Sequence, residues 1–138
     1  MANKECTLIY ETGIPLPMTC ADGTGIEKGA VLLLSDPATV ATTTGDTDPC
    51  AGIAAAEKIA SNGQTKISVH TEGIFRGYAG AAGVTAGMAI ITDTATGEAN
   101  ELVVADVNSE HIVGYALETA ADGETFLFVL KPTNMQLA

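Results

Sequence analysis

The segment "GIAAAEKIASNGQTKISV" (residues 52–69) has an echo in "GYALETAADGETFLFV" (residues 114–129). Each runs from Gly-x-Ala through an acidic residue and alanines to Asn-Gly or Asp-Gly, then to a Thr and an alternating apolar run ending in Val. An earlier pair, "IEKGAVLLLSD" (residues 26–36) and "VTAGMAIITD" (residues 84–93), shares a Gly, an apolar run and a closing hydroxyl and Asp. Gly29 and Gly87 are 58 residues apart, Gly52 and Gly114 are 62, and Gly63 and Gly123 are 60. Solenoids and propellers repeat many times at about 20 to 50 residues, so a longer unit seen twice implies two similar halves sharing a core. The halves span about residues 26–75 and 84–131. Convergent reuse of Gly-turn-Thr chemistry is the alternative, and both readings require short strands joined by glycine turns.

A chain of 138 residues and 14.0 kDa has the size of one domain, and folding buries about two thirds of its unfolded surface. Aromatic residues make up 4% and Trp is absent, so the core must come from small and β-branched side chains. A thin core of that kind favours a small barrel or an oligomer that buries further surface. The net charge is -11, and the six cations Lys4, Lys28, Lys58, Lys66, Arg76 and Lys131 are scattered singly. Nucleic-acid binding needs clustered cations to displace counterions from phosphates, so no nucleic-acid partner is expected. The acidic surface serves solubility and repulsion between copies, with a basic protein partner as the weaker alternative.

Cys6, Cys20 and Cys50 are odd in number and lack CxxC spacing. They are expected as buried free thiols in a reducing compartment rather than a zinc knuckle or disulfide framework. "MANKECTLIY" lacks the charged start and apolar segment of a leader peptide, and the apolar runs are too short for a membrane helix, so no membrane association is expected.

The pattern is all-β, about eight to ten short strands in a small barrel, with no convincing helix. "AVLLLS", "ATVATTT", "TKISVHT", "GIFRGYA", "MAIIT", "ELVVA", "HIVGYALE" and "TFLFVLK" all have strand length and composition. Asn62-Gly63 and Asp122-Gly123 predict type I′ hairpins, which need positive φ at both central residues. In the last strand Phe126, Phe128 and Leu130 alternate with Leu127 and Val129, which predicts burial on both faces. Residues 1–24 have no counterpart in the repeat and are expected as an extended N-terminal arm before a single barrel domain, residues 25–138. Pro15 and Pro17 remove backbone donors there, which bars the segment from the middle of a sheet.

Motifs for chemistry are absent. His70 with Glu72, and His111 with Glu110, sit on separate strands and lack the ligand or acid-base spacing of a site. Asp46 and Asp48 in "GDTDP" lack the remaining ligands of a calcium loop. Ser35, Ser61, Ser68 and Ser109 stand in no nucleophile elbow, and there is no phosphate-binding glycine loop. No catalytic residue, cofactor site or metal site is therefore assigned, and an enzyme is not expected.

The order of these features resembles the small capsid decoration, or cement, proteins of tailed phages, across about residues 26–131. The parts that carry it are the Gly strand ending in Asp, the "GIA" strand, "EGIF", "VTAG" with "IITD", and the "GYALETAADGETFLFVL" hairpin. The resemblance implies a β-barrel or β-tulip domain that binds the outside of an expanded head and cements it. It also implies the major capsid protein as partner, a homotrimer on the shell, a virion location on the outer capsid surface, and synthesis in the host cytoplasm. Contact is expected from Thr7, Leu8, Ile9 and Tyr10 as an added strand, from Ile14, Pro15, Leu16 and Pro17 as a rigid apolar anchor, and from a loop bounded by Tyr78 and Val84. The alternative is a ligand- or carbohydrate-binding β-module on a virion or fibre surface, which would require an exposed aromatic platform.

Overall fold

The computed structural model describes residues 4–43, 49–92, 100–105 and 111–134. These residues form eleven strands and no helix: β1 Thr7–Tyr10, β2 Leu16–Cys20, β3 Val31–Ser35, β4 Thr39–Thr42, β5 Cys50–Ala54, β6 Lys66–His70, β7 Gly73–Ala79, β8 Ala89–Thr92, β9 Glu101–Val104, β10 His111–Ala116 and β11 Thr125–Asn134. The first sheet is a closed barrel in the order β2-β4-β3-β5-β6. The second runs β1-β7-β11-β10-β8-β9, and β9 pairs back onto β7, so its last five strands form a second ring with β1 added outside.

The two rings share one topology, register by register. Leu16↔Val69, Pro17↔Ser68, Met18↔Ile67 and Thr19↔Lys66 recur as Phe75↔Phe128, Arg76↔Leu127, Gly77↔Phe126 and Tyr78↔Thr125. The parallel pair Cys20↔Val40 recurs as Ala79↔Leu102, and the antiparallel pair Ile53↔His70 as Tyr115↔Val129. Even the isolated bridge Ile26↔Lys58 returns as Val84↔Ala120. The duplication therefore runs from β2 to β6 and from β7 to β11, rather than over residues 26–75 and 84–131. Its first strands read LPMTC and GIFRGYA, which share no visible pattern because only their pairing and inward volume are repeated.

The expected arm is consequently woven into both sheets: β1 joins the second and β2 is a stave of the first barrel. The proline rule still operates within β2. Among the described residues Leu16 to Met18 pair only with β6, and β4 joins at Thr19, so Pro17 lies on a strand edge. On β7 the matching edge is filled by β1, through Thr7↔Arg76, Leu8↔Phe75 and Tyr10↔Ile74. Pro15 and Pro17 occupy the counterparts of Ile74 and Arg76, and their missing N–H groups oppose any equivalent strand there.

The turns differ from the expected hairpins. Gly63 and Gly123 have φ of 86° and 83°, but neither Asn62 nor Asp122 has positive φ, so no type I′ turn forms. The connections are long, residues 55–65 and 117–124, because each folds over to bridge the segment before β3 or β8. The first is three residues longer, which slips the sequence echo out of phase with the structure. By sequence Val69 matches Val129, whereas by pairing it matches Phe128. A one-residue slip reverses the face of a strand, so Val69 is buried while Val129 is half-exposed. Phe126, Phe128 and Leu130 are fully inside; Leu127 and Val129 are only partly covered, so β11 has one buried face.

Cys20, Ile26, Leu32, Val40, Ile67 and Val69 fill the first barrel. The second is filled by Phe75, Ile90, Leu102, Phe126, Phe128 and Leu130, and its cluster continues into Val31, Cys50 and Ile53 of the first. The echoed Gly52 and Gly114 have a steric reason. A Cβ on Gly52 would overlap the carbonyl oxygen of His70, and one on Gly114 that of Val129. Gly114→Ala should therefore cost about 3 kcal/mol, read as a lower urea midpoint at unchanged slope. Gly123→Asn, with open space around a φ that Asn tolerates, should change stability by less than about 1 kcal/mol.

Candidate functional site

Reactive groups are held apart or shut in. No cluster of three metal-ligating side chains occurs among the described residues. Asp46 and Asp48, with Ser109 and Glu110, lie outside them. His70 ends β6 and is 7% exposed, its ring edge on Phe75 at 5.5 Å between centroids, and its Nδ1 has no partner among the described residues. Burial pushes its pKa below 6.5; Glu11 acts against that and Lys28 with it. His111 opens β10 in the other barrel. All three cysteines are free and buried. Burial foremost pushes the Cys6 and Cys50 thiols up to about 12, so they are poor nucleophiles at neutral pH.

One charge lies deep where sequence reading saw only a scattered cation. Lys58 is 1% exposed, because its backbone exchanges hydrogen bonds with Ile26 at 2.7 and 2.9 Å. Its ammonium donates to Asp22 O and Ile59 O, both at 2.9 Å, to Asn62 Oδ1 at 3.1 Å and to Asp22 Oδ1 at 3.4 Å. Asp22 Oδ1 also accepts from Gly63 N at 2.7 Å. The longer connection of the first half, together with Asp22 before β3, thus wraps acceptors around a lysine, where Ala120 suffices in the second. That is structural chemistry, since the ammonium's donors face these two segments.

The candidate contact residues divide by exposure. Ile14 is 86% exposed, Tyr10 64%, Leu16 50% and Ile9 41%, while Thr7 and Pro17 are also exposed and Pro15 is half-buried. Leu8 instead packs on the second core. Tyr78 is half-buried between β9 and β11, with the Lys4 ammonium 6.0 Å from its ring centroid. Val84 is 3% exposed and bridges Ala120, so it belongs to the core rather than to a subunit contact. Lys4 also pairs with the buried Glu101 at 2.6 Å, which ties the segment before β1 to β9.

A continuous apolar row crosses the outside of the second barrel. In register it reads Tyr10, Ile74, Val129, Tyr115 and Ala89, from β1 through β7, β11 and β10 to β8. Exposed Met88 and Leu117 flank its Tyr115 end. The register counterparts of Val129, Tyr115 and Ala89 on the first barrel, His70, Ile53 and Val31, are buried instead. Sequence reading missed Tyr115, Met88 and Leu117, since alternation alone assigned them no face.

Among the described residues, two small five-strand rings carry an apolar outer row and no assembled reactive site. A model of the phage cement protein family matches residues 10–131. The chain belongs to that family. As a cement protein it is a structural, capsid-associated component of a phage virion. The solved structure titled "The crystal structure of head fiber gp8.5 N base in bacteriophage phi29" is similar at a TM-score of 0.55 and 15% identity, covering 90% of this chain and 98% of that one. At that identity the likeness is one of fold. A comparison with curated proteins found no match.

Two outcomes test the interior of this cement protein. Lys58→Met leaves the Asp22, Ile59 and Asn62 acceptors without their donor, and should lower unfolding free energy by about 3 kcal/mol in urea titration. His70 is favoured neutral in the folded chain, so it contributes stability above pH 6.5 that is lost as pH falls further. Calorimetry should show a fall in Tm below that pH, and His70→Leu should remove that part of the fall.

Proposed function

We propose that this cement protein binds the outer surface of an expanded phage head, against the major capsid protein, and stabilises the shell through contacts made by the segment around β1. Copies act there as a homotrimer after synthesis in the host cytoplasm. The observation that carries the proposal is the exposed edge of β1 in a chain of this family. Among the described residues β1 pairs on one side only, with β7, and its register shifts between Leu8 and Tyr10 so that Ile9 stands out of the ladder. Thr7, Ile9 and Tyr10 there, with Ile14, Pro15, Leu16 and Pro17 beyond, form an apolar surface at the edge of an otherwise acidic molecule. A strand edge of this kind gains backbone hydrogen bonds from a partner strand, and apolar side chains supply the burial.

A sugar-binding role lacks its platform. Tyr10 and Tyr115, the most exposed of the three tyrosines, stand three strands apart in the row, about 14 Å at ordinary strand spacing, too far to stack on one ring.

Removing residues 2–20 would delete a stave of the first barrel, so point substitutions are the cleaner test. Tyr10→Arg combined with Ile14→Arg should leave the thermal midpoint within a few degrees and reduce co-sedimentation with expanded capsids by about tenfold or more. Unchanged capsid binding by the folded double variant would rule out the β1 segment as the contact.

A further inference from the structure

The second barrel is completed by the first, and among the described residues the first has no such completion. At the junction, the flank of barrel one formed by Val31, Ile53 and His70 closes the end of barrel two. Val31 N donates to Asn100 Oδ1 at 2.9 Å, and His70 meets Phe75 edge-on. Cys50 N donates to Asn134 Oδ1 and the Asn134 side-chain Nδ2 donates back to Cys50 O, both at 3.0 Å. On the receiving side, Gly77 lies against Cys6, whose N–H donates to Gly29 O at 2.9 Å.

The shared registers identify what corresponds to each side. The flank pairs Val31↔Ile53 and Ile53↔His70 correspond to Ala89↔Tyr115 and Tyr115↔Val129 on barrel two. Those residues are uncovered: Tyr115 is 41% exposed, with Met88 at 49% and Leu117 at 42% beside it. The receiving residues Phe75, Gly77 and Asn100 correspond to Leu16, Met18 and Ala38 on barrel one. Ala38 and Asn100 even share positive φ, 43° and 72°. Among the described residues the end of barrel one is open around Met18 and Ala38, a cavity of about 680 Å³ lined also by Leu34, Pro49 and, from barrel two, His111 and Asn134. Among its described residues one chain thus carries an open end at barrel one and an exposed flank at barrel two, matching the two sides of its own internal junction.

We propose that the open end of barrel one receives the Ala89, Tyr115 and Val129 flank of barrel two from a second copy, so that copies join head to tail. The occupant is another copy because the same contact is already made once inside each chain. Tyr115 stands in the place of Ile53, and Ser35 and Asp36 in the lining of the cavity offer its phenol polar partners. The two surfaces differ, so the contact is heterologous and extends into a closed ring or an open chain. With a net charge of -11 per copy, repulsion opposes association at low salt and is screened at high salt. The contact stands apart from capsid binding and is tested without capsids.

Sedimentation equilibrium of the full chain in about 0.5 M salt, where screening reaches only a few ångströms, should show species larger than 14.0 kDa that shrink on dilution and at low salt. Tyr115→Arg on the flank and Ser35→Arg on the rim should each weaken association at least about tenfold while leaving the thermal midpoint in place; Leu117→Arg is a second flank variant. Mixing Tyr115→Arg with Ser35→Arg should give a dimer and nothing larger, because only one intact end and one intact flank remain to meet. A wild-type chain that stays at 14.0 kDa overturns the proposal. So does undiminished association of all three variants, or a mixture of the two that forms no dimer.

Discussion

The structure depends on a shared wall. The side of the first barrel is also the end of the second, and Val31, Cys50 and Ile53 therefore face a core other than that of their own ring. Every residue of β5 is buried in consequence, which is unusual for a short strand of a small barrel. The arrangement resolves a difficulty of composition. A ring of five short strands filled with small side chains encloses too little apolar volume to be stable alone. Joining two rings through one wall lets the phenylalanines of the second barrel serve a core that neither ring could complete.

The same wall explains where the copies of the motif diverge. Lys58, caged by loop carbonyls, has Ala120 as its counterpart, and His70 against Phe75 has Val129. His70 is enclosed where Val129 is half-exposed, whereas Lys58 and Ala120 are both buried and differ in the length of the connection that covers them. Pairing registers survived this divergence because a backbone ladder constrains geometry without dictating side chains; Gly52 and Gly114 are retained where a partner carbonyl leaves no room for a Cβ.

The paired core leaves apolar groups over at the surface. Apolar groups persist on the β1 segment and on the Tyr115 side of barrel two, while the thiols and His70 are enclosed and the acidic surface elsewhere is solvated. A large net charge keeps copies apart until a contact with good complementarity outweighs it. Structural proteins of an assembly that forms once and persists suit this balance of general repulsion and local stickiness.

By itself the sequence determined the all-β class, the duplication, the free thiols and the apolar character of the β1 segment. Each is local: glycine spacing, strand alternation and the absence of cysteine pairs are written in near neighbours. Tertiary structure alone decided that residues 16–20 begin the first copy of the repeat, that Val84 is core, that Lys58 is caged and that Val69 and Val129 face opposite ways. Those outcomes depend on pairing between strands far apart in the chain, where a three-residue difference in one connection shifts a register and turns a whole strand over.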